Sequence, residues 1–325
     1  MGSSRTTILM RLSDIQESLS NDAVRQLADS SIFLGVTSYA AGPTGTQAQG
    51  SNFGYVSGGI TPATSNVIQK FSFTSDANAT DVGDLTVARD NLAGQSSTAS
   101  GYTTGSPSNV IDKFPFASDG NASDVGDTTS ARFSPAGQSS ETSGYTSGGG
   151  YTNVIDKFPF ASDANATDVG DLTRSGIGMS GQSSTDNGYT SGGTNPPTGN
   201  NIIDKFPFAS DANATDVGDL TVVRTGSSGQ SSDVSGYNSG GLAPVSNVID
   251  KFPFASDANA TDVGDLVVVR YDLCGQSSTT HGYASGGREP AYSNRIDKFS
   301  FSSDENATDV GDLTNTASTA AGQQY

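Results

Sequence analysis

Tryptophan is absent from the chain, and cysteine and histidine occur once each, as Cys274 and His281. A single cysteine excludes an intrachain disulfide framework. Neither residue belongs to a repeated phrase, and neither has a partner suggested by spacing, so nucleophilic catalysis lacks its usual pairing and no enzyme is expected. Long apolar runs are missing too. Nothing approaches the ~18 residues of a spanning helix, so no membrane span is expected. Residues 1–12, MGSSRTTILMRL, lack the apolar centre of a signal peptide. Cations are scarce, 16 Lys and Arg against 34 Asp and Glu, for a net charge of −18. Nucleic acid is therefore not an expected partner, because phosphate contacts need Lys and Arg. Hydrophobic content, at 33%, is low for one conventional core.

What fills the chain is one sentence written six times. Its clearest copy spans residues 247–270, NVIDKFPFASDANATDVGDLVVVR. The glycine of Val-Gly-Asp falls at Gly83, Gly126, Gly170, Gly218, Gly264 and Gly311, at intervals of 43, 44, 48, 46 and 47 residues. A period of this size means one supersecondary unit per repeat. Each unit carries Gly-Tyr-x-Ser-Gly-Gly, then Asn-Val-Ile-Asp-Lys-Phe-Pro-Phe. The acidic phrase follows, and Gly-Gln-Ser-Ser ends the unit, truncated in the sixth copy to Gly322-Gln323. These phrases are short, bounded by Gly, Pro, Asn or Ser, and rich in aromatic and β-branched residues, which is strand punctuation. Four short strands repeated six times predict an all-β fold: a single six-bladed β-propeller over residues 46–325. An open β-solenoid rod is the rival. Closure follows from counting: residues 321–325 supply the missing first strand of the blade that Tyr55 begins.

The double glycine after Tyr and the Leu-Thr-x-x-Arg approach to Gly-Gln-Ser-Ser resemble a kelch repeat, from about Gly54 onwards. The chain departs from that family in having no Trp near the fourth strand, which implies lighter packing between blades. The wording SDANATDVGDLT…AGQSS also resembles repeat proteins of marine phages and cyanophages, described as virion structural or tail-fibre-like. That resemblance implies a virion protein made in a host cytoplasm. It would dock to other virion proteins through residues 1–45 and meet a host-surface glycan or protein. Capsid decoration without host binding is the alternative, homo-oligomerisation is compatible with either, and a glycan-cleaving propeller is a remoter third reading.

All six lysines occupy one repeat position, Lys70, Lys113, Lys157, Lys205, Lys251 and Lys298, which predicts a regular partner such as an Asp on the adjacent blade. The acidic phrase admits two readings. In the first copy it holds Asp76, Asn78, Thr80, Asp81 and Asp84, oxygen-bearing side chains spaced like a calcium loop. The same spacing recurs at Asp163, Asn165 and Asp171, at Asp211, Asn213 and Asp219, and at Asp257, Asn259 and Asp265. The pattern departs from calcium loops where Thr80 replaces Asp and Asp81 replaces Gly. The other reading is a structural Asx turn, in which Asp76 and Asn78 bond nearby backbone N–H groups and Asp81 or Asp84 meets a repeat lysine or arginine. Calcium is the only cofactor under consideration. Asn165 and Asn213 also match the glycosylation sequon, which repeat copying explains.

Before the ring, residues 13–29 read as a helix, with Ser13 capping, Gln16 three residues on, and Ile15, Leu19, Ala23 and Leu27 on one face. A strand is expected at 32–36 and a linker at 41–52. Two sets of segments differ between copies: 60–65, 106–108, 194–200, 242–246 and 288–293 after the double glycine, and 90–93, 133–136, 176–180 and 271–274 before Gly-Gln-Ser-Ser. Diverging loops on a copied scaffold are where a binding surface would be written.

Overall fold

The computed structural model describes residues 49–325, apart from Pro196, Pro197 and Glu289. The expected helix at 13–29, the strand at 32–36 and the docking role of 1–45 lie outside the described residues. The repeated phrases form strands of differing burial: the Gly-Tyr strand is buried along its whole length, as in Ser143–Ser147, and the strand beside it is buried in part. In Val154–Pro159, Ile155 and Phe158 are buried while Lys157 points outward, and the proline ends the strand, where its missing N–H costs no ladder bond.

Six four-stranded antiparallel sheets result, and they form a six-bladed β-propeller. From hub to rim, blade 2 is Leu92–Ser96, Ser100–Gly105, Val110–Pro115 and Ser123–Asp127. Blades 3 to 6 follow the same order from inner strands Ala136–Ser139, Ser180–Ser183, Ser228–Ser231 and Tyr271–Ser277. Blade 1 takes its inner strand, Ala321–Gln324, from the C-terminus and its other three from Phe53–Ser57, Val67–Ser72 and Thr80–Asp84. The register is Gly54↔Gln324, Tyr55↔Gln323, Val56↔Gly322 and Ser57↔Ala321, the closure expected from the count. Blades and written repeats are thus out of phase by one strand: Gly-Gln-Ser-Ser ends a repeat but opens the next blade.

The hub explains that phrase residue by residue. A methyl group on Gly94 would collide with the carbonyl oxygen of Gly322. Gly137 faces Gly94 in the same way, and Gly181, Gly229, Gly275 and Gly322 complete the circle. The glutamine crosses to the following blade. Gln182 Nε2 donates to the Tyr237 carbonyl at 3.0 Å, Gln323 to that of Tyr102, and Gln276 to that of Tyr55. The first serine hydroxyl accepts from the preceding blade, as Ser139 does from the Ser96 N–H at 2.9 Å.

Between blades, aromatic residues supply the packing. Each repeat tyrosine lies against the Phe-x-Phe pair of the next blade. Tyr189 sits 5.5 Å from Phe252 and 4.8 Å from Phe254, and Tyr283 closes the circle on Phe71 and Phe73. Three aromatic rings thus meet at each junction.

Candidate functional site: the loop face

The acidic phrase turns out to be a clamp between blades. Its first Asp pairs with the lysine of the preceding blade: Asp76 with Lys298 at 2.5 Å, Asp163 with Lys113 at 3.0 Å, Asp211 with Lys157 at 3.0 Å, and Asp257 with Lys205. The adjacent-blade partner expected for the lysines is present in all six copies. These aspartates are more than half exposed, so each pair contributes only about 0–1 kcal/mol. The Asn of the phrase caps the preceding blade's outer strand. Asn78 Oδ1 accepts the Asp312 N–H at 3.1 Å, and Asn165, Asn213 and Asn259 accept those of Asp127, Asp171 and Asp219. Beside each cap a backbone bond is donated in return, for example from the Ala166 N–H to Asp127 O at 2.7 Å. Gly126 has no room for a side chain because a Cβ there would stand 2.6 Å from Ala164 O in the crossing loop.

The turn reading therefore needs two corrections, the first being that Asp76 and Asn78 bond the preceding blade rather than nearby backbone N–H groups. Asp81 accepts the Gly83 N–H at 3.3 Å, as an Asx turn requires, but the lysine partner is the first Asp, not Asp81 or Asp84. Two of the three candidate calcium side chains in each phrase are taken by other partners. Positions 1 and 3 of each phrase reach the preceding blade. Position 9, at Asp84, Asp171, Asp219 and Asp265, is gripped through its N–H by the following blade's Asn. Among the described residues no group of three or more His, Cys, Asp and Glu could hold a metal ion. Adding Ca²⁺ to the protein is accordingly expected to give no saturable heat in calorimetric titration and no thermal shift. A stoichiometric exotherm would restore the metal reading.

Sequence reasoning missed a stronger set of pairs. The arginine that ends the acidic phrase reaches the Asp of Val-Ile-Asp on the next blade: Arg89–Asp112, Arg132–Asp156, Arg224–Asp250 and Arg270–Asp297, all side chains at most 2% exposed. In the third repeat the arginine stands two places early, as Arg174, yet still meets Asp204 at 2.9 Å. At the closing junction both partners are neutral. Ala317 stands for the arginine and Gln69 for the aspartate, and Gln69 Oε1 accepts from the Thr314 N–H at 2.6 Å. That joint replacement was the readable signal. In four junctions a threonine hydroxyl also bonds the aspartate, as Thr221 does with Asp250 Oδ1 at 2.7 Å. In the fifth Val267 stands there and Asp297 Oδ1 is left buried without a partner. Val267→Thr should therefore stabilise the wheel by about 1 kcal/mol, read as a higher urea midpoint, the usual net value of a buried hydrogen bond.

Cys274 lies buried on the inner strand of blade 6, and burial pushes its thiol up to about 12, so it stays protonated at neutral pH. His281 opens the next strand, half-buried, with Nδ1 2.8 Å from the Thr280 hydroxyl. Burial, helped by Lys298, lowers its pKa. At the hub, among the described residues, glycine backbone meets glycine backbone.

Both divergent loop sets come together on one face. The Gly193 N–H donates to Arg224 O at 2.8 Å and the Gly241 N–H to Arg270 O at 2.8 Å, while Leu242 and Thr225 exchange two backbone bonds. Around the axis of that face the six blade-linking loops form a backbone ring. Ser134 N–H donates to Asn91 O, Gly178 to Ser134, Gly226 to Gly178, Asp272 to Gly226, and Thr319 to Asp272, while Leu92 N–H returns to Thr319 O at 3.2 Å. All six ring residues are left-handed, with φ between 51° and 65°. Asp272 is the only charged member. Burial raises its pKa against the opposing effect of Arg288, whose Nε and Nη2 reach Asp272 Oδ2 at 3.1 and 3.0 Å. Off the axis, Val222, Val223, Leu242, Val267, Val268 and Val269 are each more than a third exposed along the junctions of blades 4, 5 and 6.

The opposite face holds the copied turns, and there the chain enters. Gly50 N–H donates to Ser277 O at 2.7 Å and Gln49 Nε2 to Ser231 O at 3.2 Å, so the last residues of the expected linker are tied to inner strands. No helix among the described residues is long and apolar enough to cross a membrane. With this geometry in hand, a scan against known protein families finds no match, and neither does a comparison with curated proteins.

Proposed function

We propose that the chain is a non-enzymatic structural and binding protein of a phage particle, a rigid wheel that presents its loop face to a host surface. One observation carries this reading: both divergent loop sets lie on one face, while the chain enters the wheel at Gly50 on the other. In this reading residues 1–45 dock on a virion partner and the loop face meets the host. The likeness of the repeated wording to virion proteins points the same way. The wheel's rigidity follows from the clamps at every junction, and rigid presentation reduces the ordering cost of binding.

Mass spectrometry of purified particles tests the first half: the protein should appear as a stoichiometric component. A copy number of tens to hundreds would favour decoration, and a few copies a tail position. Competition by purified protein against particle adsorption to host cells tests the second half.

A further inference from the structure

Three neighbouring segments of the loop face carry aliphatic side chains into solvent. Val222 and Val223 stand at the junction of blades 4 and 5, Val267, Val268 and Val269 at that of blades 5 and 6, and Leu242 between them. Backbone bonds join the three: Leu242 exchanges two with Thr225, and the Gly241 N–H donates to Arg270 O. Residues 220–223, 241–247 and 266–269 hold no charged side chain, and Arg224 and Arg270 beside them are buried. In a chain of net charge −18 this sector is an uncharged apolar area, and contiguous exposed areas of that kind mark contact sites.

Folding does not account for the sector. Five copies of the repeat place a threonine where Val267 stands: Thr86, Thr129, Thr173, Thr221 and Thr314. Each of those hydroxyls bonds the facing Asp or Gln side chain. Val267 forgoes that bond and leaves Asp297 Oδ1 buried without a partner. It gains little burial in return, since it is 42% exposed. A residue that weakens its own junction while facing solvent marks a functional position.

Resting on the attachment reading above, we infer that this sector of blades 4 to 6 docks on an uncharged aliphatic patch of a host-surface protein. The charge pattern sets the partner's chemistry. Valine and leucine bind by excluding water from matching apolar surface, and the sector holds no exposed cation or carboxylate to pair with a charged partner. A glycan needs hydrogen-bond partners and a flat apolar face, and the five valines with Leu242 supply neither a polar group nor an aromatic ring.

The test measures binding of the labelled full chain to host cells that are untreated, treated with protease, or oxidised with periodate to destroy surface sugars. Two variants accompany it: Val267→Thr, and Val222→Ser with Val268→Ser. Both should fold, because all three side chains are exposed. Val267→Thr should bind less while its urea midpoint rises, a combination that a purely structural role does not produce. The expected result is binding that survives periodate and is lost with protease. It should fall about threefold with Val267→Thr and about tenfold or more with the double variant. Undiminished binding by both variants would overturn the docking sector, and binding that survives protease would overturn the partner's class. Absence of binding to untreated cells would overturn the attachment reading and the inference with it, an outcome distinct from the other two.

Discussion

Deletion of residues 321–325 should cost on the order of 5 kcal/mol and lower the melting temperature by roughly 10 °C, with the loss of a cooperative transition as the extreme result. The segment is small, but everything it does is buried or at the hub. Ala321 is 1% exposed, and Gly322 completes the circle of glycines. Gln323 Nε2 donates to Ser57 Oγ, Tyr102 O and Thr103 Oγ1 at 2.9 to 3.0 Å, joining blade 1 to blade 2. Tyr325 stacks on Phe116 at 5.3 Å, and its carbonyl accepts from the N–H groups of Asn52 and Phe53. Without the segment, blade 1 has three strands and two junctions lose their inner contact. Scanning calorimetry reads the effect directly, and an unaltered transition would mean that the ring does not depend on this strand.

Arg224→Ala is the second large effect. Asp250 is fully buried, and its partner guanidinium also holds the Gly240 and Val248 carbonyls at 3.2 and 2.9 Å. Removing the arginine leaves a buried carboxylate facing carbonyl oxygens, which should cost about 3–5 kcal/mol. The protein itself supplies the rescue. The junction between blades 6 and 1 carries Ala317 and Gln69 in these places and packs without a charge. Arg224→Ala combined with Asp250→Gln should therefore recover much of the loss, measured by urea denaturation of the single and double variants. A double variant no more stable than Arg224→Ala alone would show that the two charges are not coupled as the geometry requires.

Much of the wheel was legible because the repeat is nearly literal. Tyr55 and Gln323 are the same words as Tyr102 and Gln95, so closure could be counted without coordinates. The lysines were equally plain, since one cation at one position in six copies needs one partner. The arginine pairs were hidden by phase. Arg224 and Asp250 sit in different repeats, 26 residues apart, and nothing local says that a phrase's end faces the middle of the next. The acidic phrase misled for a related reason. Spacing along a loop reports which oxygens are near in sequence, but Asn78 faces Asp312 of another blade, and Asp84 meets Asn121. The missing tryptophan implied lighter junctions, whereas Phe-x-Phe meets tyrosine across a boundary that sequence order conceals. The backbone ring on the axis was invisible for the plainest cause: Asn91, Ser134, Asp272 and Thr319 are brought together by closure alone.

The contact of glycine with glycine at the hub also limits how such a protein can grow. Six strands meet at the axis, each through one glycine, because a side chain there would strike its neighbour's carbonyl. A seventh copy, inserted by duplication, would enlarge the circle and leave a bore that hydrogen atoms cannot span. Chains of this type that gain a repeat should therefore show alanine, serine or larger residues where Gly94 and its five counterparts stand, so the identity of that single residue records the number of blades.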